Sequence, residues 1–340
     1  MSFFADPNRC LVIAEVAQAH DGSLGHAHAF IDAAAKAGAD AVKFQTHFAD
    51  EESTPADQWR VKFSRQDATR MDYWRRMEFT PEQWQGLFDH CAEAGILFLS
   101  SAFSPKAVDL LENLGMAAWK VASGEVTNII LLRQMIATGK PILLSSGMST
   151  WDQLDAAVEW VRMGGCELMT FQCTTEYPTP AEKVGLNILG EMQARYQAPV
   201  GLSDHSGTIY PGLAAAACGA QAVEVHICFS KQAFGPDIPA SLDLDDLKRL
   251  SEGVRMIESM RRNPMDKEAI AAEKAELRTL FGRTLVAAQD IKADVILSPE
   301  HLALKKPGGG LGPDAWDSVL GLRLKRDLAK NEALTWEDVE

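Results

Sequence analysis

Along residues 10–226, short apolar runs alternate with amphipathic stretches. The run at 10–16, Cys10-Leu-Val-Ile-Ala-Glu-Val16, is near-continuously apolar, as expected of a strand buried on both faces. The polar loop Gln18-Ala-His-Asp-Gly22 leads into 24–37, where Phe30, Ile31, Ala34 and Ala35 keep helical spacing and Gly38 marks the stop. A second strand follows at 41–44, and the unit then repeats. Thr80-Pro-Glu-Gln83 is a capping box with proline in the first turn, opening a helix before a strand at 96–100. Helix–strand pairs recur at 104–114 and 118–121, 128–137 and 142–145, 150–163 and 168–172, 186–196 and 200–203, and 211–218 and 222–226. A last helix is expected at 244–260.

Eight strands, each followed by a helix, predict parallel pairing and a (β/α)8 TIM barrel. The competing open doubly wound sheet calls for GxGxxG after its first strand, and none is there. Segment 46–79, rich in Asp, Glu, Arg and Trp, reads either as a substrate-side loop or as a solvated excursion. Residues 261–278 are charged and carry Pro264, which predicts a linker. After Gly282 short β-like runs alternate with turns such as Pro307-Gly-Gly-Gly310. The expected organisation is a catalytic barrel at 1–265, a linker at 266–282 and a small, mostly β domain at 283–340.

With 340 residues and 46% apolar content, the chain has material for a large core. A formal charge of −14 argues against nucleic-acid or anionic-membrane partners, so an anionic substrate would need locally placed donors. Six cysteines without a CxxC pair point to buried thiols in a reducing compartment. No basic-then-apolar leader opens the sequence and no apolar run approaches ~18 residues, so a cytoplasmic location is expected.

Barrel active sites gather at the C-terminal strand ends. There the sequence places Glu15, Lys43, Gln45, Ser101, Lys120, Ser123, Glu125, Ser145, Thr175, Tyr177, Ser203, His205 and His226, with Asp237 following. Singly, each serine reads as well as a helix cap, and each histidine as a satisfied strand-end residue. Lys43 and Lys120 are harder to dismiss, because a lysine closing an apolar strand is costly to bury without a partner. Two lysines and a ring of hydroxyls suit a phosphate. His205 and His226, on adjacent strands ~4.8 Å apart, suit one divalent metal polarising a carbonyl. Glu125 and Asp237 suit hydroxyl binding or proton transfer.

At these same residues the chain resembles the sialic acid synthase family. The likeness runs through Ile13-Ala-Glu15, Ala37-Gly-Ala-Asp-Ala-Val-Lys-Phe-Gln45, Lys120-Val-Ala-Ser-Gly-Glu125, Cys173-Thr-Thr-Glu-Tyr-Pro-Thr-Pro180, Gly201-Leu-Ser-Asp-His205 and Gly235-Pro-Asp237. Arg283-Thr-Leu-Val-Ala-Ala288 and Lys306-Pro-Gly308 resemble the family's antifreeze-like (SAF) domain. The resemblance implies condensation of phosphoenolpyruvate with an N-acylated mannosamine-type sugar, giving a nonulosonic 2-keto acid and phosphate. It implies Mn²⁺ or Mg²⁺ on His205 and His226 with Glu15 nearby. It assigns a phosphoenolpyruvate clamp to Lys43, Ser101, Lys120, Ser123, Ser145 and Ser203, with Thr175 beside it. The sugar side falls to Gln45, Glu125, Tyr177 and Asp237. A domain-swapped homodimer is implied, with Lys306 standing where the family often has an arginine that reaches the partner's sugar. The first loop, often Asn-His-Asn-Gly in the family, is Ala19-His20-Asp21-Gly22 here. The other classes compatible with the residues are a phosphoenolpyruvate-dependent synthase acting on a sugar phosphate and a non-catalytic carbohydrate-binding barrel.

Overall fold

The structure, a computed structural model, describes all residues except Met1, Ser2, Phe3, Ala5 and Arg60. It divides into two compact units, residues 1–263 and 264–340. In the first, β1 (Leu11–Ala17), β2 (Ala41–Thr46), β3 (Leu97–Ala102), β4 (Trp119–Val121), β5 (Ile142–Ser145), β6 (Leu168–Cys173), β7 (Val200–Asp204) and β8 (Ala222–His226) pair in parallel and close into a barrel. Between β1 and β2 lies α1 (Leu24–Lys36), capped by the Ser23 hydroxyl. Segment 46–79 is more than a loop. It carries α2 (Ala49–Glu52) and α3 (Arg70–Met77), the latter opened by a reciprocal Thr69–Asp72 capping box. Then come α4 (Pro81–Glu93), α5 (Pro105–Leu114), α6 (Ile129–Ala137), α7 (Trp151–Met163), α8 (Leu186–Tyr196), α9 (Tyr210–Ala217) and α10 (Leu244–Arg262).

Alternation along the strands sorts side chains into two cores. Val12, Ala14, Val42, Phe44, Val223 and Val225 pack outward against the helices. Ile13, Ala41, Leu99, Leu143, Met169, Phe171 and Ala222 fill the barrel interior. Gly201 pairs with Phe171 in the β6–β7 register, and a Cβ on it would stand 2.6–2.9 Å from the Phe171 ring. That missing methyl group makes room for the largest interior side chain.

The segment read as a linker, 266–282, carries α11 (Lys267–Glu273) and α12 (Ala275–Phe281), neither of which buries a residue. Beyond them β9 (Thr284–Ala287) and β10 (Leu302–Lys305) pair antiparallel. Leu285, Ile291, Leu297, Val319, Leu324 and Leu334 give this unit its own core.

Candidate active site

One step further along the interior rows, the side chains change from apolar to charged. Glu15 pairs in register with Lys43 on one side and His226 on the other, Ser101 pairs with Lys120, and Ser203 pairs with Glu224. These polar residues crown the apolar interior layer and floor a cavity of about 960 Å³. The serines here are not helix caps. Ser101, Ser145 and Ser203 sit inside strands and are buried.

The floor is a compact ionic network. Lys43 Nζ lies 2.7 Å from Glu15 Oε2 and 3.7 Å from Glu224 Oε1, while Lys120 Nζ lies 3.3 Å from Glu224 Oε1. Lys43 donates to Ser101 Oγ at 3.3 Å, Lys120 to Ser145 Oγ at 2.5 Å, and Ser203 to Glu224 Oε1 at 3.0 Å. Lys120 also stands 5.0 Å over the Phe171 ring. Burial raises the Glu15 carboxyl to about 7, although the adjacent Lys43 ammonium pulls it down. Burial works against the Glu224 anion too, but Lys120 and then Lys43 overcome it and hold that carboxyl at about 2. Burial lowers Lys120, while the two glutamates outweigh burial and raise Lys43. Among the described residues, Glu224 Oε2 is buried with no hydrogen-bond partner. A buried carboxylate oxygen of this kind suits a site that receives a hydrogen-bond donor or a cation.

The histidine pair emerges beside this floor, ring centroids 5.3 Å apart. His205 Nδ1 lies 2.8 Å from the Thr174 carbonyl, so the proton sits on Nδ1 and Nε2 presents its lone pair. Tyr177 stacks on His205 at 4.1 Å with its hydroxyl 3.1 Å from Nε2. Burial, then the neighbouring His226, lowers His205 to about 4, keeping the ring neutral. His226 Nδ1 lies 4.0 Å from Asp237 Oδ2. A neutral imidazole with a fixed tautomer, its Nε2 lone pair turned to the Tyr177 hydroxyl, is of the kind that can ligate a divalent ion. Among the described residues no cluster of three or more His, Cys, Asp or Glu is gathered for a metal, so the pair would leave coordination positions open.

The remaining predicted residues line the same cavity. Gln45 donates to Glu15 Oε1 at 2.9 Å, and Glu125 Oε2 accepts from Asn128 Nδ2 at 2.7 Å. Its carboxyl is raised by burial, with Asn128 opposing. Ser123 donates to Cys173 Sγ at 3.4 Å, and Thr175 and Asp237 also face the cavity. Gly147 leaves their space open, since a Cβ there would lie 2.2 Å from Ser123 Oγ and 2.5 Å from Thr175 Oγ1. The outer wall is built largely by segment 46–79, through Glu52, Asp57, Trp59, Val61, Phe63 and Trp74.

The family model described as the NeuB family matches residues 30–265, and the SAF domain model matches 282–340. The chain belongs to the NeuB family. It is 32% identical over 334 residues to an N,N'-diacetyllegionaminic acid synthase of Campylobacter jejuni, covering 96% of this chain and 99% of that one. A pseudaminic acid synthase of Campylobacter jejuni is 31% identical, with 98% of each chain covered. A solved N-acetylneuraminic acid synthetase of Leptospira borgpetersenii, in complex with citrate, matches with a TM-score of 0.71 at 25% identity, over 81% of this chain and 93% of that one. Like these relatives, this NeuB-family chain is a synthase, an enzyme of the transferase type.

Within the NeuB-family barrel, the strand-end residues expected from the sequence occur on one surface. Lys306 belongs to the second unit, its Nζ 5.3 Å from the Phe281 ring centroid. Sequence reasoning gave no role to Glu224, the carboxylate both lysines share. Its signal was the period-2 row Ala222, Glu224, His226, hidden because Val223 and Val225 make the strand look uniformly apolar. Gln18, His47 and Glu52 were also missed, because they come from loops and a short helix without periodicity.

Proposed function

We propose that this NeuB-family enzyme condenses phosphoenolpyruvate with the open-chain aldehyde of an N-acylated mannosamine-type sugar. The products are a nonulosonic 2-keto acid and inorganic phosphate. The observation that carries the reading is the buried pairing of Lys43 and Lys120 with hydroxyls beside the His205–His226 pair. The lysines, with Ser101, Ser123, Ser145 and Ser203, hold the phosphate and carboxylate. Gln45, Glu125, Tyr177 and Asp237 face the sugar. The enol carbon forms a bond to the aldehyde carbon, whose oxygen takes up a proton. Water then adds at the phosphate-bearing carbon and gives up its protons as the C–O bond from that carbon to phosphate breaks, leaving the 2-keto group and inorganic phosphate.

His205 and His226 are the residues that would hold Mn²⁺ or Mg²⁺, which supplies Lewis-acid polarisation of a carbonyl. Lys306, we further propose, reaches the sugar from a second copy in a homodimer. The diacetylated product in one relative's name and the N-acetylated product in another's support a diacylated acceptor as well as a simpler acylated one. The test is phosphate release from phosphoenolpyruvate across N-acetylmannosamine and its diacetamido, 6-deoxy analogues, with and without EDTA. Release with at least one sugar, lost on chelation and in His205→Ala, is the expected outcome. No release with any of them overturns the reading, and release that survives both treatments removes the metal role.

A further inference from the structure

Segment 46–79 does more than wall the cavity, because a line of directed hydrogen bonds ties it to the reactive floor. Gln45 Nε2 donates to Glu15 Oε1 at 2.9 Å, which turns Gln45 Oε1 away from that carboxylate. The two hydrogens of Gln18 Nε2 reach Gln45 Oε1 at 2.5 Å and His47 Nε2 at 2.8 Å. His47 Nε2 is therefore an acceptor. Its 3.2 Å separation from Gln45 Oε1 is that of two acceptors bridged by one amide group. The imidazole proton then lies on Nδ1 and goes to Glu52 Oε1, 2.6 Å away at the end of α2. Every direction in the line is fixed by its neighbours.

The ring at the centre is also fixed mechanically. His47 is stacked between Trp74 of α3, at 4.3 Å and 25°, and Phe103 after β3, at 4.5 Å and 14°. It is 5% exposed. Turning the ring would break both stacks, and flipping the Gln45 amide would set its oxygen against the Glu15 carboxylate.

We propose that His47 is a positioning residue, held by Glu52 and segment 46–79, that through Gln18 fixes the Gln45 amide for the reaction. The assignment rests on the functional reading above, in which Gln45 faces the sugar beside Glu15. It makes the cavity wall and the reactive floor one mechanical unit. A sugar that disturbs α2 or α3 would then be felt at Gln45.

The deciding variant is His47→Phe, which keeps the aromatic stack and removes both nitrogens. The expected result is a fall in kcat/KM for the sugar of ~10–100-fold, typical of losing a partner behind a functional group. KM for phosphoenolpyruvate should stay nearly constant. In the His47→Phe background, Gln45→Ala should cost little more, because the two residues act as one unit. Exogenous imidazole should restore part of the activity of His47→Gly, a readout that a purely structural role would not give. Additive losses, or a loss shared equally by both substrates and accompanied only by a lowered Tm, would overturn the assignment. If the parent protein releases no phosphate with any sugar, the functional reading fails instead. The His47–Gln45 coupling is then read from unfolding midpoints, where non-additive shifts support the positioning role and additive shifts overturn it.

Discussion

A single buried side chain shows how far local physics reaches in this enzyme. His20 packs at 4.8 Å from Phe79 and accepts a hydrogen bond from the Gly22 amide on Nδ1. Burial is the dominant cause that lowers its pKa from 6.5 to about 3, and the Arg76 guanidinium adds to it. Unfolding releases it to bind a proton near pH 6.5. Its contribution is therefore intact above about 6.5 and is lost as pH falls toward the folded value. Denaturant unfolding should show stability dropping by up to ~1.4 kcal/mol per pH unit across that window, with a shallower dependence in His20→Gln. The same residue scale separates what the sequence discloses from what it hides. Lys43 and Lys120 are legible because a buried lysine in an apolar strand needs a partner. The partner they share, Glu224, is not, since its carboxylate becomes meaningful only once two other strands bring the ammonium groups to 3.7 and 3.3 Å.

The strands were legible as elements, and their ends less so. β2 runs on to Thr46 and β3 to Ala102, past the apolar stretches that mark them. The extra residues, Gln45 and Ser101 among them, are polar because they form the functional layer, so chemistry blurs the pattern that signals a strand. α3 had a readable capping box in Thr69 and Asp72, submerged in a charged segment. α11 and α12 bury no residue, although Leu277, Leu280 and Phe281 give α12 apolar positions at helical spacing. Turns carry constraints of their own. Gly22, at φ +75°, lies so close to α3 that a Cβ would come within 2.3 Å of the Arg76 carbonyl oxygen. Arg76 in turn clamps Asp21 at 2.8 Å and Asp67 at 2.8 Å. The Asp21 that departs from the family's usual loop thus has a local partner. Gly147 plays the corresponding part at the β5 end. Gly147→Ala should displace Ser123 and Thr175 and lower kcat/KM for phosphoenolpyruvate by ~10–100-fold, the scale of a small misplacement at a reacting centre. Phosphate release with phosphoenolpyruvate as the varied substrate measures it.

For the molecule as a whole, charge and site pull in opposite directions. The chain carries −14 overall, yet the reading requires it to admit a multiply charged anion. Attraction is confined to the floor, where Lys43 and Lys120 are already partly neutralised, while the rim adds Glu51, Glu52 and Asp57. Raising ionic strength from ~0.01 M to ~0.15 M shortens the screening length from ~30 to ~8 Å and should raise kcat/KM for phosphoenolpyruvate. The value for an uncharged sugar should hardly move, and initial rates over a salt series compare the two directly. The barrel, the small β-containing unit and most of the site were legible because eight repeated units leave few topologies. The role of segment 46–79 was not, since it depends on contacts between loops that no periodicity links.

The pairing of Gly201 with Phe171 gives the pocket a vertical coordinate. Phe171 lies below Lys120, so the height of its ring sets how far the ammonium group projects toward a bound anion. A methyl group at position 201, on the neighbouring strand and outside the pocket, would lift that ring and its cation together. On the proposed reading, the depth open to a phosphate would thus respond from underneath to a residue with no side chain, which lies outside the cavity lining.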